Sequence, residues 1–327
     1  MSRLDYVDVA KGIGIILVVL GHCLVFAGCW SSTLFWYIYA FHMPFWFTIS
    51  GYLYKRKDPS SFIIGKVATL LVPFVAYFSL NIVIYAILTC LRRADLFYYC
   101  SFDAFWFLIT LFLIVVSHYL LDVFLFSKSK NGWLLQCIIS ICTLVLGLNY
   151  ARYISDEPNQ PVATAFVGYA FFSLGCALRR VKFSLPKNVF LRIALGGIGA
   201  ILSVALFFTA KLNGDNNIDM NTSRYMNEIW FVVNAALGIV SYSLLSIAIG
   251  RNSLLQNFGR NSLTILMIHI PVCKFFLMVC SHFGFRGFIP AIIAFIISFA
   301  ASYAAIWFFN KCLPFMLGKL KFDKLSY

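Results

Sequence analysis

Apolar residues run along this chain in long blocks rather than in alternation. Blocks near 9–28, 33–54, 62–90, 104–126, 133–149, 162–178, 190–210, 229–250, 262–281 and 287–310 are separated by short polar connections. A helix needs about 20 mostly apolar residues to cross the hydrocarbon core of a bilayer. The pattern therefore predicts an all-α polytopic membrane bundle of about ten transmembrane helices. No connection is long or polar enough to link independently folded parts, so residues 1–327 are read as a single domain. No internal repeat is visible, in particular no matching pair of Gly/Pro-broken helices in the two halves.

Composition agrees: 61% of the residues are hydrophobic and 12% charged, far from a soluble globular enzyme. Gly (20) and Pro (9) are sparse while Phe (35), Tyr (17) and Trp (7) are abundant, which excludes a disordered or collagen-like chain. The first block follows Asp5, Asp8 and Lys11 and has no small-residue cleavage site after it, so it reads as a first span and not as a removable signal peptide. Cys90 and Cys100 flank one loop and could pair if that loop faces an oxidising compartment.

The formal net charge of +14 is distributed by side. With the N-terminus inside, 19 Lys and Arg fall on inner segments and 6 on outer loops, Lys274 lying within a span. Both termini are therefore expected in the cytoplasm. The basic excess then marks topology and anionic lipid contact, and no nucleic-acid partner is expected. The most polar outer loops, 150–161 with Asp156 and Glu157 and 211–228 with Asp215, Asp219 and Glu228, are rims for a polar acceptor.

Ionisable groups inside spans are costly and usually face the bundle interior or a wet cavity. Here they are Lys11, His22, His42, Lys66, His118, Asp122, His269 and Lys274. Lys11 and His22 are eleven positions apart, a rotation about 20° beyond three turns and a rise of roughly 16 Å. They share one face at different depths, and Asp8 can pair with Lys11 one turn earlier. The plainer reading is an interfacial Asp–Lys anchor plus a histidine satisfied by a neighbouring helix.

In FHMPFWFTISGYLYKRK, Pro44 is expected to bend the second span next to His42. His42, like His269 in GRNSLTILMIHIP, could be catalytic or could only make a packing hydrogen bond. His118 and Asp122, four apart, are expected to bond each other. Lys55, Arg56, Lys57 and Lys66 could set topology, or together supply counter-charge to donor phosphates. No Walker A, G-x-G-x-x-G, C-x-x-C or H-E-x-x-H pattern occurs, so neither nucleotide-motif nor metal chemistry is expected.

The Lys11-x10-His22 spacing, F-H-M-P-x-x-F-x-I-S-G-Y, PFVAYFS at 73–79, FWFLITLF at 105–112 and GRNSLTILMIHIP together resemble acyltransferase family 3. Within it the chain looks like the fucose 4-O-acetylase-like, surface-polysaccharide O-acetyltransferase group. The resemblance implies a multi-pass protein of a bacterial cytoplasmic (inner) membrane. It also implies that an acetyl group passes from cytoplasmic acetyl-CoA to a sugar hydroxyl of a surface glycan or its lipid-linked precursor. It assigns the essential histidine to His22, the basic position to Lys11, accessory histidines to His42 and His269, and donor binding to Lys55, Arg56, Lys57 and Lys66. Many members carry two or more basic residues before the third-helix L-L-x-P, where this chain has GKVATLLVP with Lys66 alone. The competing readings are a transporter or flippase for a polar or lipid-linked solute, using the same histidines and Lys274, and an inactive relative serving as a binding partner.

Overall fold

The computed structural model describes residues 5–101, 105–154, 161–181, 186, 188–213 and 218–319. Among them no strand occurs, and nine helices are long and apolar enough to cross a membrane. In chain order the helices are α1 (Asp5–Phe26), α2 (Thr33–Tyr39), α3 (His42–Tyr52), α4 (Pro59–Lys66), α5 (Val72–Cys90), α6 (Phe97–Cys100) and α7 (Phe105–Leu121). They continue as α8 (Gly132–Ile154), α9 (Pro161–Arg180), α10 (Val189–Thr209), α11 (Glu228–Ile249), α12 (Ser253–Arg260), α13 (Ser262–His282) and α14 (Phe288–Cys312). A π-helical turn, Val67–Leu71, joins α4 to α5, and another, Asp122–Phe126, closes α7.

The second predicted span is not one bent helix. It breaks into α2 and α3 at Ala40 and Phe41, both fully buried. Pro44 falls in the first turn of α3, where its missing N–H deprives the helix of nothing. The break frees carbonyls, which inside a bilayer must find donors within the protein. The Ile38 carbonyl accepts from the Phe41 N–H and from Nδ1 of His42, at 3.3 and 3.0 Å. The broken pair nevertheless returns along the length of α1, because the Tyr6 hydroxyl at the start of α1 meets that of Tyr52 at the end of α3, 2.5 Å apart. This broken pair stands beside the nine long apolar helices of the described residues.

α1 is the axis of the bundle and packs against α2, α3, α11, α12, α13 and α14. It starts four residues earlier than the hydropathy suggests, at Asp5, because its acidic first turn is held by arginines: Arg251 donates to Asp5 at 2.8 Å and Arg260 to Asp8 at 3.1 Å. The α1–α12 contact is so close that a Cβ on Gly12 would stand 2.1 Å from the Leu255 carbonyl oxygen, and one on Gly259 2.0 Å from that of Asp8. Asn261, at the head of α13, accepts from Asn310 at the tail of α14. The first and last described segments thus lie at one end of the bundle. The loops at this end carry the Lys and Arg excess, as the positive-inside rule requires of a cytoplasmic face.

The pairing expected between His118 and Asp122 is replaced. His118 bonds the Tyr169 hydroxyl at 3.3 Å, and Asp122 accepts from the Tyr54 hydroxyl at 3.1 Å. The π-helical turn begins at Asp122, so the regular four-residue register between the two is lost there. Cys90 and Cys100 are both free thiols. Asp156, Glu157 and Asp215 lie outside the described residues.

Candidate functional site

A cavity of about 940 Å³ runs along the inward face of α1. At the basic end it is lined by Lys11, Ser50, Thr69 and Ser262, and at the opposite end by Asp219, Asn221, Tyr85 and Phe97. His22 and His42 line it between these ends. The fold therefore brings Lys11, His22 and His42 to one space, as the helical arithmetic of the first span anticipates for Lys11 and His22. Thr69 and Leu70 reach the cavity from the π-helical turn, a local widening of the helix often found at functional positions.

His269 does not reach the cavity wall; it is fully buried and stands behind His22. Nδ1 of His22 and Nε2 of His269 are 2.7 Å apart, and the rings are near parallel with centroids 5.0 Å apart. Nδ1 of His269 is 2.9 Å from the carbonyl oxygen of Ile265 one turn back. A carbonyl can only accept, so Nδ1 of His269 carries the proton and, in the neutral ring, Nε2 is an acceptor. His22 must then donate through Nδ1, which leaves the lone pair on its Nε2. This is the arrangement of a base held in one tautomer by a second group.

The same reasoning applies to His42. Its Nδ1 donates to the Ile38 carbonyl, so the neutral ring offers an acceptor nitrogen and no proton for an oxyanion. Its ring lies against Tyr39, centroids 4.7 Å apart.

The remaining cationic candidates sit elsewhere. Lys55, Arg56 and Lys57 are exposed in the connection between α3 and α4, and the half-buried Lys66 has its ammonium 5.7 Å from the centroid of the Phe62 ring. None of the four lines the cavity. Lys274 is buried, 4.2 Å from the Tyr98 ring centroid and 4.9 Å from that of Phe26, and it donates to Ser101 at 3.3 Å. It clamps α13 to α6 and α1.

Two residues of the cavity lining each hold a buried polar atom that meets no partner among the described residues: the Nε1–H of Trp46 and the side-chain oxygen of Asn221. A buried polar atom left so costs about 1–3 kcal/mol. Trp46 packs over Gly14, where a Cβ would come 3.2 Å from the indole nitrogen. Gly14 precedes His22 by eight residues, so this donor sits roughly 12 Å towards the basic end. Neither residue announces itself in the sequence, Trp46 because aromatics are everywhere in this chain. Asp219 lies in one of the two outer loops singled out for polarity, and burial pushes its carboxyl above the usual carboxylate range.

A family model described as an acyltransferase domain matches residues 4–310. Comparison with curated proteins and with solved structures finds no match.

Proposed function

The chain belongs to acyltransferase family 3, and from that premise we propose that it moves an acetyl group from cytoplasmic acetyl-CoA to a sugar hydroxyl at the opposite face, with His22 as general base. The observation that carries this reading is the single cavity that holds Lys11 at its basic end, Asp219 at the other and His22 between them. The acceptor is a glycan or its lipid-linked precursor, and the membrane is a bacterial inner membrane. Membrane lipids cover the outer helix faces.

A sugar hydroxyl is a weak nucleophile at neutral pH, and a positioned histidine contributes about 10²–10⁴-fold to its reaction. The hydroxyl oxygen adds to the thioester carbonyl as its proton passes to Nε2 of His22. The C–S bond then breaks, and the thiolate takes that proton back as the thiol leaves. Lys11 lines the path of the thioester arm, and the Trp46 N–H donates to a carbonyl of that arm on the basic side of His22. Lys55, Arg56, Lys57 and Lys66 draw the phosphate-bearing end of the donor to the basic face. His269 positions His22, and His42 secures the α2–α3 break from which the cavity wall is built.

The test needs only the donor. Thermal unfolding of the detergent-purified protein is followed with rising acetyl-CoA, beside CoA and a nucleotide control, for wild type and His22→Ala. A ligand confined to the folded state stabilises it by about 2.7 kcal/mol at 100 times its Kd. A saturable shift retained in His22→Ala, with transfer lost, is the expected result. No shift at millimolar acetyl-CoA, or near-normal acyl transfer by His22→Ala, overturns the reading.

A further inference from the structure

The turn at Ile218–Tyr225, between α10 and α11, is fastened from several sides. Asp219 and Arg224 exchange two backbone hydrogen bonds, each 2.9 Å. The Thr164 hydroxyl at the head of α9 donates to the Met220 carbonyl at 2.6 Å, and the Asp219 carboxylate accepts the Asn221 N–H at 2.9 Å. Ser223, buried, adopts a left-handed φ of 56° that closes the turn. Asn221 lines the cavity from this fastened turn, and its buried side-chain oxygen meets no donor among the described residues.

The two unsatisfied atoms of the cavity have opposite polarity and lie on opposite sides of His22. On the basic side is an N–H, which suits a carbonyl; on the far side is a carbonyl oxygen beside a carboxyl group, which suits O–H donors. A thioester offers no hydrogen to Asn221, whereas a polyol offers several.

We infer that the Asp219–Asn221 turn is the subsite for the acceptor, receiving neighbouring hydroxyls of one sugar ring on the Asn221 side-chain oxygen and the Asp219 carboxyl group so that a further hydroxyl meets His22. The inference rests on the acyl-transfer reading and adds the residues that choose the acceptor. It makes Asn221 a recognition residue that demands a hydroxyl, because an acceptor lacking it leaves a buried oxygen unpaired.

The full chain in detergent is given a panel of methyl glycosides and their monodeoxy analogues. Glycoside binding is read by intrinsic fluorescence without donor, and transfer is read separately from radiolabelled acetyl-CoA. Wild type is compared with Asn221→Leu, Asn221→Asp, which keeps an acceptor oxygen, and Asp219→Asn. The expected result is glycoside binding weakened about 10-fold or more in Asn221→Leu, largely restored in Asn221→Asp, with the acetyl-CoA thermal shift unchanged. One deoxy analogue is expected to bind worse than its parent in wild type and equally in Asn221→Leu. Equal glycoside affinity in wild type and Asn221→Leu overturns the inference, as does absence of glycoside binding by wild type at tens of millimolar. Failure of the acyl-transfer reading shows separately, as absence of the acetyl-CoA shift in wild type.

Discussion

His22 on α1 and His269 on α13, 247 positions apart, share a hydrogen bond of 2.7 Å whose direction is fixed by the Ile265 carbonyl behind it. His269 is thus a positioning residue that keeps Nε2 of His22 unprotonated. Leaving the buried Nδ1–H of His22 without its acceptor costs about 1–3 kcal/mol, which is about 10–100-fold in rate. His269→Ala is expected to lower kcat for acetyl transfer by about that factor, with the KM for acetyl-CoA changed less than about 2-fold. His269→Gln, whose side-chain oxygen can accept from Nδ1 of His22, should recover part of the loss. Unchanged kcat in His269→Ala, or a parallel loss of acetyl-CoA affinity, would reduce His269 to packing.

Trp46 and Gly14 form one device. Trp46→Phe keeps an aromatic ring and removes the N–H, which should raise the KM for acetyl-CoA about 2- to 10-fold, the worth of one hydrogen bond of about 0.5–1.5 kcal/mol. Gly14→Ala places a Cβ 3.2 Å from the indole nitrogen, tight enough to displace it. It should act in the same direction while the protein still folds. Wild-type acetyl-CoA kinetics in both variants would remove the indole from the donor path.

The succession of long apolar helices is legible in the sequence because hydropathy is summed over many residues, and errors at single positions average out. Lys11 and His22 are legible because their relation is set within one helix. The partner of His22 is not, since no local pattern chooses between His42 and His269, the latter 247 positions away. Pro44 points to a bend at the wrong place: a proline in the first turn of a helix is harmless, and the break lies at Ala40–Phe41, where His42 itself satisfies a freed carbonyl. Asn221 stays hidden because its significance lies in a missing partner.

Lys274 separates the enzyme from a proton-coupled carrier. Held against the Tyr98 and Phe26 rings, it acts as a clamp. A desolvated cation–π contact is worth about 2 kcal/mol. Lys274→Met should therefore lower the unfolding temperature by several degrees while acetyl transfer stays within about 3-fold of wild type. Abolished function in a variant of normal thermal stability would contradict the clamp.

Asp219 gives the outer turn a pH signature. Burial holds its carboxyl above the usual range, against the pull of the Asn221 N–H, Thr222 and Arg224. The folded protein then binds this proton more tightly than the unfolded chain, whose aspartate titrates near about 3.9. The resulting stabilisation is fully present below about pH 4 and is lost as pH rises through the folded value. Asp219→Asn cannot ionise and loses nothing over that interval. Its unfolding temperature, measured relative to wild type from about pH 4 to 7, should therefore become steadily more favourable with rising pH. A difference that stays flat, or runs the other way, would mean that the Asp219 charge is fully compensated in the folded turn.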